Sequence, residues 1–433
     1  MANPAPTSTR AGEFFIKVRG FSKSLSISLA NQIISSASNF GILLYLLREL
    51  EKLEFGTYSL GFATILLISG CTVSLFSVPL AINLPRLPVD QRKAYTLNQL
   101  VISGAIGGLI VLIGLAASWT LEAYLPATEI YLAVALSSAF YGLRDLLSRL
   151  AFSERKESVV LTSTTISSVT IFLGFFLTNI LNQRLTDETS LLIYAASQFT
   201  GLLTTYLLLK LPKISSITTA GLKDSFIRSW GGGKWNLMTN ITYNLRTQAH
   251  NFISAPILGF VALAEINAAR TFVTPAILLI PPLSQIVTPR LAQLRTTNPS
   301  RLLRISTLTT LTLLAICLIY AATLLPLLPW ALPIITDGKY PDIDNLIFLW
   351  CANTILLSVR NGLSITLEVT ENFKEIFKCN LISAVFAIIA STTLSLHLGG
   401  EGALIALIST ELLLCILLTA TLKRQSPRLK LGI

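Results

Sequence analysis

Apolar residues recur along this chain in runs of about twenty, separated by shorter segments that hold most of the charged residues. A helix of about 20 apolar residues is long enough to cross the hydrocarbon core of a bilayer. The pattern therefore predicts twelve membrane-spanning helices. They lie near 25–47, 57–82, 97–121, 128–150, 159–181, 190–211, 236–260, 261–288, 305–326, 344–367, 379–397 and 402–422.

The longest polar segment falls at the midpoint and leaves six predicted spans on either side. We therefore predict an all-α polytopic membrane protein with two six-helix repeats around a central cavity. The predicted parts are an amphipathic N-terminus at 1–24, an N-terminal half at 25–211, a linker at 212–235, a C-terminal half at 236–422 and a basic tail at 423–433.

The distribution of Lys and Arg provides an independent test of this count. Of the 33 basic residues, 25 fall in the termini and the alternate loops on one side, 4 in the other loops and 4 within spans. Basic residues accumulate in the cytoplasmic loops of membrane proteins. This bias therefore predicts an even number of spans with both termini in the cytoplasm.

A comparison of the two halves favours an internal duplication. The segment 38–68 aligns with 250–280, so that Asn39-Phe40 falls on Asn251-Phe252 and the endings ATILLI and PAILLI coincide. Two repeats of six spans have the same orientation, and an axis along the membrane normal would relate them. In transporters built this way, the binding site lies between the repeats near the midplane.

Composition agrees with a membrane protein and excludes several other classes. Hydrophobic residues make up 52% of the 433 residues, charged residues only 13%, and the mean hydropathy is +0.67. The net charge of +11 lies in short loops on one side, which topology explains without a nucleic-acid partner. The five cysteines show neither disulfide nor zinc-site spacing, so we expect no metal and no cofactor.

The segments outside the predicted spans are too short for a catalytic domain, so we expect a protein that is not an enzyme. The sequence WGGGKW at 230–235 lacks the GK[ST] ending of a phosphate-binding loop, and we interpret it as a flexible joint before span seven. The first apolar run is long enough to remain as a span rather than a signal peptide. Before it, EFFIKVRGF at 13–21 predicts a short amphipathic helix at the membrane surface.

Prolines concentrate in spans seven and eight. A proline removes a backbone hydrogen bond and bends a helix, so we expect kinks in this region. Bent helices at a repeat interface are candidate gating elements. The prolines are Pro256, Pro275, Pro281, Pro282 and Pro289.

The sequence YNLRTQAHNF at 243–252 places two basic residues near the middle of span seven. Arg246 and His250 are four residues apart and share one helical face, with Asn244 and Asn251 beside it. An isolated Arg at this depth costs about 2.5–3.5 kcal/mol on insertion scales. This face must therefore contact water, a partner or a substrate. We predict that it lines a wet cationic cavity, although Arg246 could also have a purely structural role and His250 could be a packing residue.

Six further charged residues lie within or beside the spans, and several of them have an alternative interpretation. Arg144 could bind substrate or form a local pair with Asp145, and Arg360 could bind substrate or extend to the membrane surface. Arg270 lies deeper in span eight and joins the predicted binding residues. Asp145, Glu265 and Glu411 are candidate ion-coupling residues; Glu265 could also be interfacial, and Glu411 a neutral hydrogen-bonding carboxyl.

Three segments resemble the polysaccharide flippases of the multidrug/oligosaccharidyl-lipid/polysaccharide exporter superfamily. They are HNFISAPILGFVALAEINAARTFVTPAILLIPPLSQIVTPRLAQL at 250–294, FGTYSL at 55–60 and DGKYPDIDNLIFLW at 337–350. The likeness extends over nearly the whole chain. It departs at Asn244-Leu245-Arg246, where relatives often have an acidic residue before the arginine.

The resemblance implies a flippase in the bacterial inner membrane that moves undecaprenyl-diphosphate-linked oligosaccharide repeat units to the periplasmic leaflet. Such relatives alternate between inward- and outward-facing states and draw on ion gradients. The expected partners are this lipid-linked oligosaccharide, membrane lipid and other polysaccharide assembly proteins.

Other functions remain open from the sequence. A cation-coupled drug exporter of the same superfamily would need an anionic cavity, whereas the arginines here predict a cationic one. A peptidoglycan-precursor flippase usually has fourteen spans rather than twelve. A membrane-embedded polymerase or ligase would need a large outer loop, and a structural scaffold would not explain Arg246.

Overall fold

The computed structural model describes residues 8–121, 129–209, 211, 218–297 and 299–425, and these residues form helices joined by short turns, without a strand. Helices suit a bilayer because each satisfies its own backbone hydrogen bonds. The N-terminal half contains α1 (Ser8–Glu49), α2 (Lys52–Thr72), a π-helical turn (Val73–Ser77), α3 (Val78–Asn83), a 3₁₀ turn (Leu84–Arg86), α4 (Val89–Leu121), α5 (Glu129–Ser153), α6 (Glu157–Ile180) and α7 (Asp187–Leu209).

The C-terminal half contains the remaining six helices. They are α8 (Thr219–Leu258), α9 (Phe260–Leu278), α10 (Ile280–Thr297), α11 (Pro299–Thr336), α12 (Asp344–Val369) and α13 (Phe373–Gln425).

Ten helical stretches of the described chain are long and apolar enough to cross a membrane. This number differs from the predicted twelve for two reasons. The stretch Phe373–Arg424 holds two predicted spans that meet at Gly399, where φ is +60°. The predicted span seven belongs to α8, which is helical but too polar to be counted by hydropathy. The expected all-α polytopic fold is confirmed.

Helix breaks occur near the prolines of spans seven and eight. Helix α8 ends at Gly259, which adopts φ +83°, a conformation that few residues other than glycine tolerate. The next break, at Leu279, lies between Pro275 and the pair Pro281-Pro282. The helix also extends past the predicted end of span eight at 288, because α10 continues to Thr297.

Two predicted segments outside the spans also differ from the structure. The segment 13–21 is not a separate surface helix, because α1 runs without interruption from Ser8 to Glu49. The predicted flexible joint WGGGKW is helical within α8. Its Gly233 lies so close to the π-helical turn that an added Cβ would be 3.0 Å from the Leu75 carbonyl oxygen, and this close packing stabilises the helix at a glycine-rich position.

Apart from α8, the hydrophobic packing between the described parts of the two halves is concentrated at one end of the bundle. A buried cluster there combines Phe55 and Leu191 from the N-terminal half with Phe272, Tyr340 and Trp350 from the C-terminal half. We call this the closed end; it carries the turns at 50–51, 181–186 and 337–343. Toward the opposite end, the buried clusters stay within one half.

Polar contacts add to this packing at the closed end. The Lys52 ammonium lies 2.9 Å from a Glu265 carboxylate oxygen and so joins α2 to α9. The Lys339 ammonium donates to backbone carbonyls at the end of α1, including that of Leu50 at 3.1 Å. A cation at a helix C-terminus is favourable because the terminal carbonyls carry partial negative charge.

Helix α8 packs on both halves. Near its start, Gln99 donates to the Ser229 hydroxyl at 2.7 Å, and the Tyr95 hydroxyl lies 3.2 Å from the same oxygen. Farther along, Arg246 of α8 forms an ion pair with Glu411 of α13. The first part of α8 therefore belongs structurally to the N-terminal half, and its last part to the C-terminal half.

Candidate functional site

A cavity of about 230 Å³ lies between the two halves. Helices α1, α2 and α7 form one wall, and α8 and α9 form the other. Its polar lining is mainly amide and hydroxyl groups, and aromatic rings add apolar surface. The lining includes Asn39, Phe40, Tyr58, Ser59, Phe62, Tyr194, Gln248, Asn251, Asn267, Arg270 and Thr274.

The sequence repeat has a structural counterpart in this cavity. Asn39 of α1 and Asn251 of α8, which the repeat alignment superimposes, line opposite walls. Tyr58 and Phe62 of α2 stack with ring centroids 6.0 Å apart, and Tyr194 meets Phe62 edge-on. The cavity therefore offers aromatic surface on the N-terminal side and amides on both sides.

The amides on the C-terminal side form a hydrogen-bonded series. Asn251 donates to the Gln248 side-chain oxygen at 2.7 Å, and Asn267 donates to the Asn251 side-chain oxygen at 2.9 Å. These mutual bonds fix the orientation of all three side chains. Side chains that are already held in one orientation can form hydrogen bonds with the hydroxyls of a bound molecule without losing further conformational entropy.

Among the described residues that line this cavity, Arg270 is the one with a charged side chain. Its guanidinium lies over the ring of Trp350, 5.5 Å from the centroid. No carboxylate of the described chain lies within ion-pair distance of it, and the described lining contains no Asp or Glu. The described lining of the central cavity therefore carries a positive charge, contributed by Arg270, which is one of the predicted binding residues.

The structure places Arg246 elsewhere. Its side chain is 0% exposed and forms an ion pair with Glu411 of α13, whose side chain is 2% exposed. Arg360 of α12 also contacts this carboxylate, with its Nε 2.9 Å from Glu411 Oε2. The two atoms form an ion pair, but their angle does not allow a hydrogen bond. In this conformation Arg246 does not line the cavity, and Glu411 compensates its charge inside the C-terminal half, which corresponds to the structural alternative for this residue.

Two other predicted residues of span seven also lie away from the cavity. His250 is buried and meets Trp350 edge-on at 5.5 Å, so the packing alternative describes it. Asn244 donates to the backbone carbonyl of Asn240, one turn earlier on its own helix. Among the residues predicted to form this face of span seven, Asn251 is the one that lines the cavity.

Arg144 lies in a second, smaller pocket of about 110 Å³ inside the N-terminal half. It does not pair with Asp145, which instead accepts a hydrogen bond from Arg149 at 2.7 Å, one turn along α5. Residues i and i+4 of a helix are neighbours, whereas adjacent residues point in different directions, which explains the change of partner.

Each of the three predicted ion-coupling carboxylates has a basic partner. Asp145 pairs with Arg149, Glu265 with Lys52, and Glu411 with both Arg246 and Arg360. Glu265 belongs to the packing between the halves at the closed end. The described residues contain no group of three or more His, Cys, Asp or Glu that could hold a metal ion.

Several residues of the cavity were not predicted from the sequence. Asn39 was identifiable, because the repeat alignment pairs it with Asn251, and Asn267 is an amide inside an apolar run. Tyr58, Phe62 and Tyr194 carry no such signal, since aromatic residues are common throughout membrane spans.

Comparisons with known proteins show the fold. A lipid II flippase, MurJ, solved in an inward closed conformation, is 14% identical with a TM-score of 0.71 over 92% of this chain and 87% of that one. An inward-facing multidrug resistance MATE family transporter of the MOP superfamily is 12% identical with a TM-score of 0.73, covering 94% and 99% of the two chains. A MATE multidrug transporter, DinF-BH, is 15% identical with a TM-score of 0.66, covering 95% and 97%.

The chain therefore has the fold of lipid-flipping and drug-exporting membrane transporters. No protein-family model and no curated protein matches its sequence.

Proposed function

We propose that this protein is a flippase that moves undecaprenyl-diphosphate-linked oligosaccharide repeat units across the bacterial inner membrane by alternating access. The observation that carries the proposal is Arg270, a guanidinium without a carboxylate partner in the cavity between the halves. Arginine keeps its charge in any environment and binds phosphate through two parallel hydrogen bonds. A diphosphate supplies the negative charge that this cavity lacks.

The rest of the cavity suits the sugar part of such a head group. The Gln248, Asn251 and Asn267 amides can exchange hydrogen bonds with sugar hydroxyls, while Tyr58 and Tyr194 offer ring faces and hydroxyls. A cavity of about 230 Å³ cannot hold a long polyprenyl chain. In our proposal the lipid tail stays in the bilayer while the head group crosses between the halves.

The packing of the halves supports an alternating-access mechanism. Apart from α8, a shared buried cluster joins them at the closed end, whereas the buried clusters toward the other end lie within one half. The Lys and Arg bias of the loops assigns the closed end to the periplasm and both termini to the cytoplasm. In this orientation the described state faces the cytoplasm, where a lipid-linked repeat unit would enter. The ion-gradient coupling implied by the resemblance belongs to the same proposal.

The competing functions require features that differ from the described site. An exporter of cationic drugs needs carboxylates in its cavity, and the described lining contains none. A polymerase or ligase needs catalytic groups, usually on a large outer loop, whereas the described turns at the closed end are short. The fold shared with drug exporters makes the first alternative the one to test.

The direct test uses proteoliposomes that contain a fluorescent polyprenyl-diphosphate oligosaccharide. We expect the wild type to move it between leaflets and Arg270→Gln to lose most of this activity, with partial recovery in Arg270→Lys because the charge returns without the planar fork. Arg149→Gln is the matched control, since it also removes one positive charge but lies outside both cavities. Full activity of Arg270→Gln would overturn the proposed role of this cavity.

A gene deletion in the host distinguishes the functions. Accumulation of complete lipid-linked repeat units facing the cytoplasm, with loss of surface polysaccharide, supports a flippase. Unchanged polysaccharide with altered sensitivity to toxic cations supports a drug exporter and refutes the proposal.

A further inference from the structure

We propose that the pocket around Arg144, inside the N-terminal half, is a binding site for an oxyanion, that is, a carboxylate or phosphate group. This site is separate from the central cavity. It goes beyond the proposed function, because an oxyanion site can be demonstrated in the purified protein whether or not the protein moves lipid.

The first argument is charge. Arg144 donates to the Ser167 hydroxyl at 3.0 Å, the Gln198 side-chain oxygen at 2.8 Å and the Thr164 hydroxyl at 3.2 Å. All three partners are neutral, and the neighbouring Asp145 is paired with Arg149. A guanidinium within a membrane span needs compensation of its charge. The described surroundings orient this guanidinium but do not neutralise it.

The second argument is the chemistry of the pocket. Its polar lining consists of hydroxyl and amide groups around the one guanidinium, and the described lining holds no carboxylate. Hydroxyls can donate to an anion, and an arginine binds an oxyanion through charge-assisted hydrogen bonds. The volume of about 110 Å³ exceeds that of a single water, which takes about 30 Å³ in the liquid. The lining includes Ser35, Ser38, Asn39, Tyr141, Ser168 and Ser197.

The third argument is position. Asn39, Ile42 and Tyr194 line both this pocket and the central cavity. A head group held at Arg270 could therefore extend an acidic substituent toward Arg144. A free inorganic anion could reach the same guanidinium. Both sources present the same chemistry, and the experiment below distinguishes them.

Gly201 of α7 makes room for the guanidinium and provides a precise perturbation. A Cβ at this position would lie 2.6 Å from Arg144 Nε and 2.8 Å from Cζ. The displaced atoms are the end of a flexible side chain, so Gly201→Ala should fold while moving the charge. This variant separates correct positioning of Arg144 from the mere presence of its charge.

The test measures the unfolding midpoint of the purified full-length protein in detergent, in the Arg270→Gln background so that the central cavity is neutral. Sodium phosphate, sodium glucuronate and uncharged glucose are titrated separately at constant ionic strength. We expect saturable stabilisation by an oxyanion and none by glucose. Adding Arg295→Gln, which removes one positive charge outside both cavities, should leave the effect intact, and adding Arg144→Gln should abolish it.

Adding Gly201→Ala should weaken the apparent affinity about tenfold, which corresponds to the loss of one hydrogen bond to a charged group. Equal binding of phosphate and glucuronate would indicate a site open to free anions, and binding of glucuronate alone would indicate a sugar acid. The proposal is overturned if no oxyanion stabilises the protein, or if Arg144→Gln and Gly201→Ala both retain the full effect.

These results are independent of the flipping assay. Loss of oxyanion binding in Arg144→Gln, together with no flipping by the wild-type protein, would support this site and refute the proposed function. The opposite pair of results would do the reverse.

Discussion

The ion cluster of Arg246, Arg360 and Glu411 yields a quantitative prediction. Glu411 is 2% exposed and is the carboxylate shared by both guanidiniums. Glu411→Gln preserves the shape of the side chain but raises the net charge of the cluster from +1 to +2. We expect this substitution to destabilise the protein strongly, although Glu411 does not line the central cavity.

Two estimates set the magnitude. Breaking a buried ion pair by removing one partner costs about 3–5 kcal/mol. An uncompensated Arg at mid-membrane depth costs about 2.5–3.5 kcal/mol on insertion scales. We therefore expect a loss of about 3 kcal/mol in the free energy of unfolding. Glu265→Gln is the control, because its pair with Lys52 is about one-third exposed and pairs of that kind contribute about 0–1 kcal/mol.

The assay is unfolding in mixed micelles by increasing the fraction of denaturing detergent, monitored by the fluorescence of buried Trp350 and the other tryptophans. The double variant Glu411→Gln/Arg360→Gln returns the cluster to +1 and should recover part of the loss. If Glu411→Gln were no more destabilising than Glu265→Gln, the interpretation of this cluster as a buried, mutually compensating set of charges would be wrong.

Three further predictions concern the ends of the bundle and α8. Lys339→Ala should open the closed end more often, because it removes the contact with the end of α1. The test is alkylation of Ser59→Cys in a variant without the native cysteines, and we expect faster labelling from the periplasmic side. Unchanged labelling would contradict this prediction. Gly233→Leu should separate α8 from Leu75 and lower the unfolding midpoint, whereas Gly232→Leu, facing open space, should not. The hydrogen bond and charge of Arg295 lower the pKa of Glu371, in the turn before α13, in the folded protein. Their contact therefore stabilises the fold fully above the ordinary glutamate pKa of about 4.3, and this stabilisation is lost as the pH falls through the lower pKa of the folded state. Arg295→Gln should remove this pH dependence of the free energy of unfolding.

The hydrophobic pattern predicts the helices well because the bilayer imposes a length and an internally hydrogen-bonded backbone. It does not distinguish a turn between spans from a bend within one helix. At Gly399 the glycine does mark a turn, because its non-helical backbone, with φ +60°, separates the two predicted spans. The glycines at 231–233 likewise suggest a joint, but Gly233 packs against Leu75 and the helix continues.

The charged residues of the candidate site are easy to find in the sequence, but their partners are not. Arg246 and Arg270 look alike as arginines in apolar runs. The difference between them arises from Glu411 of α13, which is 165 residues from Arg246 in the chain and pairs with it where α13 packs on α8. Compensation of charge depends on such long-range packing, so a single sequence identifies candidate cations without showing which of them remain available to a substrate.

The shared packing of α8 has a consequence for the permeability of the membrane. A conformation with both ends open would let protons and small ions leak through the protein. Because one part of α8 is bonded to α4 and another to α13, the two halves cannot part at both ends without breaking one of these attachments. Where α8 passes from one half to the other, the Asn244 side chain bonds the backbone carbonyl of Asn240, which favours bending there. In the proposed alternating-access mechanism, an intact α8 would therefore act against a conformation with both ends open, and so against leakage of protons and ions.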